Sequence, residues 1–404
     1  MKILINRNFI LTLFLVYVST YASVVAFSYY TLIFYLLISL FFFVKDNLRF
    51  DSLFIKFSIA FFLINIYLFL TLPVFDFLLT GYMYLKFLYA YLSIKVIGFP
   101  LFNNIVKIAY FGALISLPFY IFQLLDYDLA FKIVGFIKNS FAFLDFRNDS
   151  LANNVIFTIN ADAPLRNSGF MWEPKGFANF IVIALFFRLY HNGLKILDKK
   201  ILVFIIALIT TFSTTGILCL FVIFLFYFLN KNIKIVLSVF PLFIMLATYI
   251  FFSSDFLYKK ILYEISLKDE YKTLLQKKDY DSDAISLGRT GSLIVDFNDF
   301  LNRPYFGYGY TRENRTQSSF VKLVRVNGFS DILAVYGILG LIFYFYRQYV
   351  FLKLLQKKKN YSYSSLITLI LIIIYTASTL TAHPFWMSLI FVSCIIPKKQ
   401  PVEK

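Results

Sequence analysis

Long uncharged runs of Leu, Ile, Phe, Val and Tyr, separated by short polar stretches, set the pattern of this chain. Ile201–Ile209, Ile217–Leu229 and Leu366–Tyr375 carry no charged residue. An apolar run of about 20 residues is what a bilayer core of roughly 30 Å asks of a helix. Many such runs in one chain mean a polytopic, all-α membrane protein, because helices satisfy their own backbone in lipid. The pattern predicts twelve spans, at 9–26, 28–44, 53–73, 80–98, 106–125, 174–190, 201–213, 216–230, 235–253, 331–347, 364–381 and 384–397. Two polar segments interrupt them. The chain therefore divides into N-terminal spans (1–125), a first large loop (126–173), central spans (174–253), a second large loop (254–330) and C-terminal spans with a tail (331–404).

The second loop has its own periodicity. Leu257, Ile261 and Ile265 recur every four residues, with Tyr271 and Leu275 beyond them, which predicts an amphipathic helix. Leu293, Phe297 and Leu301 predict another. Such helices beside a membrane can lie on its surface. The run Pro304–Tyr310 (PYFGYGY) then makes a turn-rich stop.

Charge fixes the orientation. The chain is 60% hydrophobic and 15% charged, with a formal net charge of +17. That excess is concentrated in the short connections, including Arg7, Lys45, Lys95, Lys199, Lys200, Arg347 and Lys357–Lys359, where Asp46, Asp51, Asp198 and Glu403 are the acids. Both large loops are nearly balanced. The positive-inside bias then places both termini in the cytoplasm of an inner-membrane protein and the large loops outside. It also excludes nucleic acid as the reason for the basic charge. The N-terminal run continues past any cleavage point to Val44, which predicts a retained first span. Cys219 and Cys394 lie in apolar runs, read as packing residues with no disulfide framework or metal site between them. Walker-type and dinucleotide-binding glycine loops are absent, so an ATP-driven pump has no support.

The candidate chemistry lies where loops meet spans. The first loop ends in Arg166–Phe180 (RNSGFMWEPKGFANF), placing Arg166, Glu173 and Lys175 at the mouth of the sixth span. Glu173 can simply complement a helix dipole and Arg166 can anchor lipid headgroups, the bland alternatives. The second loop carries Arg289, Arg303, Arg312, Arg315 and Arg325, with Asn327 just beyond. Arginine grips phosphate through two parallel hydrogen bonds where lysine acts as a point charge, so the set points to a phosphate-bearing ligand. A solvated surface is the alternative for any one of them. His383, in Thr-Ala-His-Pro at an external turn, is either a base or a structural histidine. Lys56, Asp76 and Lys86 lie near predicted span ends and are expected to snorkel.

Four stretches resemble the O-antigen polymerases of the Wzy type and their relatives, the O-antigen ligases. Arg166–Phe180 is similar to the stretch leading into a span, and Phe212–Leu218 (FSTTGIL) to a polar break between two short spans. Arg289–Gly309 is similar to the large-loop signature of an Arg, a short helix and a Pro–Gly-x-Gly turn. Asn327–Leu341 (NGFSDILAVYGILGL) is similar to the segment that returns to the membrane. Ligases typically carry an Arg in the polar break, where this chain has Thr214 and Thr215, and a His before the Asn, where it has Val326. Both departures favour the polymerase.

The resemblance implies a metal-independent, cofactor-free GT-C glycosyltransferase. It implies two substrates that are oligosaccharide units on undecaprenyl pyrophosphate, joined at the outer face of the inner membrane, with a chain-length regulator and a flippase as partners. It implies catalysis by Arg166 and Arg289, with Glu173 first and His383 second as base, and pyrophosphate or sugar binding by Lys175, Arg303, Arg312, Arg315, Arg325 and Asn327. An O-antigen ligase, a lipid-linked oligosaccharide flippase or other secondary transporter, and an inactive structural partner are the rival readings.

Overall fold

Uncharged runs leave backbone amides in hydrocarbon nothing to bond but each other, and among the described residues such runs form helices. The computed structural model describes residues 6–20, 29–140, 151–192, 198–229, 284–316, 322–356 and 363–395, with positions 241 and 245. These are mostly helical. In order they are α1 (Arg7–Tyr17), α2 (Tyr29–Lys45), α3 (Ser52–Thr71), α4 (Phe77–Ile97), α5 (Pro100–Leu125), α6 (Tyr127–Ser140), α7 (Pro174–Asn192), α8 (Lys199–Thr210) and α9 (Thr214–Leu229). After these come α10 (Arg289–Asn302), α11 (Gly328–Gln356), α12 (Tyr363–Ala377) and α13 (Pro384–Phe391). The predicted span at 235–253 and the predicted amphipathic helix over 257–275 lie outside the described residues.

Among the described residues, four helices are long and apolar enough to cross a membrane: α3, α4, α5 and Gly328–Val350 of α11, with mean hydropathies of 2.2, 1.2, 1.8 and 1.7. The others at predicted spans are shorter. Side-chain placement suits hydrocarbon outside and polar groups within. Ile55, Ile59, Phe62, Leu63 and Ile66 of α3 are exposed, whereas Thr12, Asn104, Ser116 and Asn179 are buried. Inside, polar groups find each other: Asn104 Nδ2 donates to Thr12 Oγ1 at 3.2 Å, and Tyr344 and Tyr375 share a hydroxyl–hydroxyl bond of 3.1 Å. Only 17% of the apolar window of α3 is buried, so most of it faces outward.

Several boundaries differ from the sequence expectation for local reasons. Helix α1 ends at Tyr17, and Ser19 and Thr20 form a turn on which other segments dock. The first loop, a plain polar segment by sequence, contains the amphipathic α6 and an antiparallel pair, β1 (Leu151–Asn153) with β2 (Thr158–Asn160). A small core of Tyr120, Val134, Phe157 and Ile159 holds that pair. A second pair, β3 (Ala284–Ser286) and β4 (Lys322–Val324), is parallel. The chain is thus predominantly rather than purely helical.

Turns alternate between two ends of the bundle. One end carries the basic connections, and half-exposed ion pairs close it: Arg7 with Asp46 at 2.9 Å, Lys95 with Asp51 at 2.8 Å, and Arg188 with Asp198. The other end carries the loops. There the break between α8 and α9 receives the first loop, since Asn167 N donates to Thr210 O at 3.0 Å and Asn167 Nδ2 reaches both Thr210 Oγ1 and Ser116 Oγ. RNSGF, a stretch singled out in the sequence, is therefore bound to the last residue of α8, two positions before FSTTG.

Candidate functional site

Helix α11 is not continuous. At Gly337 the backbone takes φ +66° and ψ −168°, which breaks the i→i−4 ladder within an apolar segment. Freed backbone groups at that depth must find protein partners, and the PYFGYGY turn supplies them. Tyr308 N donates to Ala334 O and Gly309 N to Val335 O, each at 2.9 Å, while Ile338 N donates to Pro304 O at 2.8 Å. Glycine is required on both sides of this seam. A Cβ at Gly337 would lie 2.3 Å from Tyr305 O, and one at Gly307 would lie 2.6 Å from Ala334 O. The Gly-x-Gly turn of the second loop and the glycine of the returning helix are two halves of one joint.

Behind the seam lies a cluster of buried charge. Asp296 and Asp299, on the inner face of α10, have side chains 0% and 1% exposed. Arg315 bonds Asp296 and Asp331 at 2.8 Å each, and Arg325 bonds Asp296 and Asp299 at 2.6 Å each. Ser330 Oγ donates to Asp296 Oδ2, and Thr316 donates to Asp299 Oδ1 through both N and Oγ1. Burial pushes the Asp296 carboxyl up from its ordinary range, against the pull of Arg315 and Arg325. Two arginines and three aspartates thus tie α10, the segment after it, β4 and the start of α11 together.

The cluster forms one wall of a cavity of about 390 Å³ at the loop end of the bundle. Arg312, Arg315 and Arg325 line it from the second loop, and Lys86 lines it from α4. Asp331 is the one carboxylate among its described lining residues, and its side chain is 22% exposed. Tyr82, Tyr310 and Tyr336 add aromatic wall. Lys86 is 5% exposed and its Nζ lies 4.6 Å from the centre of the Tyr82 ring. The expectation that Lys86 snorkels to a span end is therefore corrected. It sits midway along α4 and faces the cavity. Lys56 is exposed, and Asp76 caps α4 by accepting from Leu79 N.

His383 closes the floor. Its ring stacks on Trp172 at 5.3 Å and 13°, and Nδ1 donates to Ser19 O at 3.3 Å, which leaves the proton off Nε2. Burial, aided by Lys86 and opposed by the Ser19 carbonyl, pushes its pKa down to about 3. A group that holds its proton so weakly is a poor general base near neutral pH, so positioning is its better role.

A second group gathers at the mouth of α7. Arg166 Nε donates to Thr211 O at 2.9 Å, and Glu173 lies 3.4 Å from Lys175 Nζ. Burial lowers the Arg166 pKa, with Glu173 raising it and Arg289 lowering it, so these side chains share one electrostatic neighbourhood. Other residues of the expected set are occupied in holding the fold. Arg303 donates to Thr71 Oγ1 at 3.1 Å and to Thr71 O at 2.9 Å, fastening the end of α10 to the end of α3. Asn327 Oδ1 accepts from Phe329 N and Ser330 N, capping α11.

The structure therefore brings Arg312, Arg315, Arg325 and His383 to one cavity, and Arg166, Glu173 and Arg289 into a second group. Sequence reasoning named Lys86 only as a residue that snorkels, and did not single out Asp296, Asp299 or Asp331. Asp296 and Asp299 lie opposite the apolar face of α10, where acids on a solvated face are the ordinary reading; Asp331 lies one turn beyond Asn327. No protein-family model matches the chain, and no curated protein matches it.

Proposed function

We propose that the chain is a membrane glycosyltransferase that joins oligosaccharide units carried on undecaprenyl pyrophosphate, working as an O-antigen or capsular polysaccharide polymerase. The carrying observation is the loop-end cavity in which Lys86, Arg312, Arg315 and Arg325 converge on one space bounded by tyrosines. Such a space suits a diphosphate with a sugar attached: the cations match the phosphates, and tyrosine rings offer flat faces for a sugar. Its place at the ends of apolar helices lets a lipid tail stay in the bilayer while the sugar stays in water. In this reading the bundle is a twelve-span GT-C fold in the inner membrane, with both termini cytoplasmic.

The reaction needs little proton chemistry on the leaving side. The acceptor hydroxyl oxygen bonds to the anomeric carbon, and that carbon's bond to the phosphate oxygen breaks. The electron pair leaves with the diphosphate, where Lys86 and Arg312 stabilise the added charge. The hydroxyl proton passes to a carboxylate. Asp331 is the one among the described residues of the cavity wall, and Glu173, paired with Lys175, is the alternative at the mouth of α7. Arg166 and Arg289, in the group at the mouth of α7, are assigned to the second lipid-linked unit.

The test is deletion of the gene in its host, read on a polysaccharide gel. Loss of the long-chain ladder with one capped unit retained is the expected result. A ladder of unchanged length would remove the polymerase reading, and loss of every capped form would favour a ligase.

A further inference from the structure

Helix α10 faces the wrong way for a helix in water. Leu293, Ile294, Phe297 and Leu301 are exposed by 42%, 44%, 47% and 61%, while Ser292, Asp296 and Asp299 on the opposite side are buried. A surface helix of a soluble protein turns its apolar stripe to the core and its acids to solvent. This one does the reverse, and its acids are held by Arg315 and Arg325.

The segment immediately C-terminal to α10 sets the helix's level relative to the bilayer. Arg303 is bonded to Thr71 at the last residue of α3. Phe306 packs on Tyr67 of the same helix at 5.2 Å. Asn314 Nδ2 donates to Val74 O at 2.6 Å, and Asp76 N donates to Thr311 Oγ1 at 3.2 Å. Residues 303–314 are thus sewn to the outer turn between α3 and α4, two of the helices long and apolar enough to cross a membrane. The apolar exterior of α3 runs up to that turn through Phe69 and Leu70, and Tyr305 stands 67% exposed at the junction. Tyrosine and arginine at such a junction are the usual residues of a membrane–water boundary.

We propose that α10 lies in the lipid headgroup layer at the loop end, with Leu293, Phe297 and Leu301 immersed among acyl chains. Lipid is the occupant because the stripe continues a helix surface that hydrocarbon must already cover. The consequence is mechanical. The face opposite the lipid carries Asp296 and Asp299, so the bilayer surface holds the carboxylates that orient Arg315 and Arg325 at the cavity. This placement of α10 is independent of the reaction assigned to the cavity.

Site-directed spin labelling tests it in the full chain reconstituted in phosphatidylcholine–phosphatidylglycerol vesicles. Cys219→Ala/Cys394→Ala removes the native thiols, and labels are placed singly at Leu293→Cys, Phe297→Cys, Leu301→Cys and, as the edge of the stripe, Asn298→Cys. The expected result is collision with oxygen exceeding collision with a water-soluble nickel chelate several-fold at the three stripe positions, with a smaller ratio at Asn298→Cys. Nickel exceeding oxygen at the stripe would overturn the proposal by placing α10 in water. Low collision with both reagents would overturn it in favour of a covering second copy of the chain. Using three independent sites keeps the answer legible if one variant fails to fold.

Discussion

The two ends of the bundle are closed by different physics. At the basic end, Asp46, Asp51 and Asp198 each meet a base, in pairs whose side chains are 17–38% exposed. Water and salt screen such pairs, and an exposed ion pair is typically worth about 0–1 kcal/mol. At the loop end, Asp296 and Asp299 are withdrawn from water altogether and share two arginines. A buried pair gains little over an apolar replacement, yet breaking one side of it typically costs about 3–5 kcal/mol because a charge is stranded. Charge at the first end stays within reach of water. Charge at the second holds a defined cavity.

Asp296→Ala strains this contrast most, because it leaves Arg315 and Arg325 short of a buried carboxylate. We expect a loss of about 3–5 kcal/mol, seen as a collapse of the monodisperse peak in size-exclusion chromatography of the solubilised protein. An unchanged peak and melting temperature would show that the cluster is not structural. Gly337→Ala attacks the same end through the backbone. Its left-handed φ and the approach of Tyr305 O predict a penalty of at least about 1–3 kcal/mol, read as a lower melting temperature. Gly81→Ala, where no atom lies within 4 Å of the added Cβ, is the control expected to leave it unmoved.

Acid offers a third probe. His383 stays neutral in the fold to about pH 3, whereas an unfolded histidine takes up a proton near 6.5. Between those values the unfolded chain binds more protons, so stability falls as pH is lowered through the window. His383→Gln should flatten that part of the stability–pH curve; an unaltered slope would mean that the imidazole is not buried as described. The smallest effect belongs to the basic end. Arg7→Ala should cost no more than about 1 kcal/mol, measured by the same melts, and a larger loss would contradict the contrast drawn between the two ends.

Much of this architecture is legible in the chain, because a bilayer imposes length and hydropathy on every helix. The helices at 52–71, 77–97 and 100–125 follow from long apolar runs that each carry no more than two lysines. What hydropathy does not convey is depth and break. It predicts 331–347 as one plain span, but Gly337 splits α11, and only the long-range seam with residues 304–309 explains why. The apolar positions of α10 form the stripe that the periodicity predicts. The two aspartates opposite them are silent in the sequence, because their partners lie in the later segment 315–325. Arginines are easy to gather by sequence and hard to sort. Arg303 and Arg325 look alike in the chain, yet one clamps α3 and the other lines the cavity. Lys86 has the sequence surroundings of a span-end residue, and its role depends on which way α4 faces.

Whether a cationic cavity holds the diphosphate of a lipid-linked sugar during transfer is met most directly by reconstitution. Purified protein in proteoliposomes is given undecaprenyl-pyrophosphate-linked repeat units, and product length is followed on gels for the native chain, Lys86→Met and Arg312→Ala. We expect chain lengthening by the native protein, a fall of roughly 10²–10³ in rate for each variant, and melting temperatures close to native for both. Lengthening at the native rate by Lys86→Met and Arg312→Ala would contradict a role for the cavity in transfer.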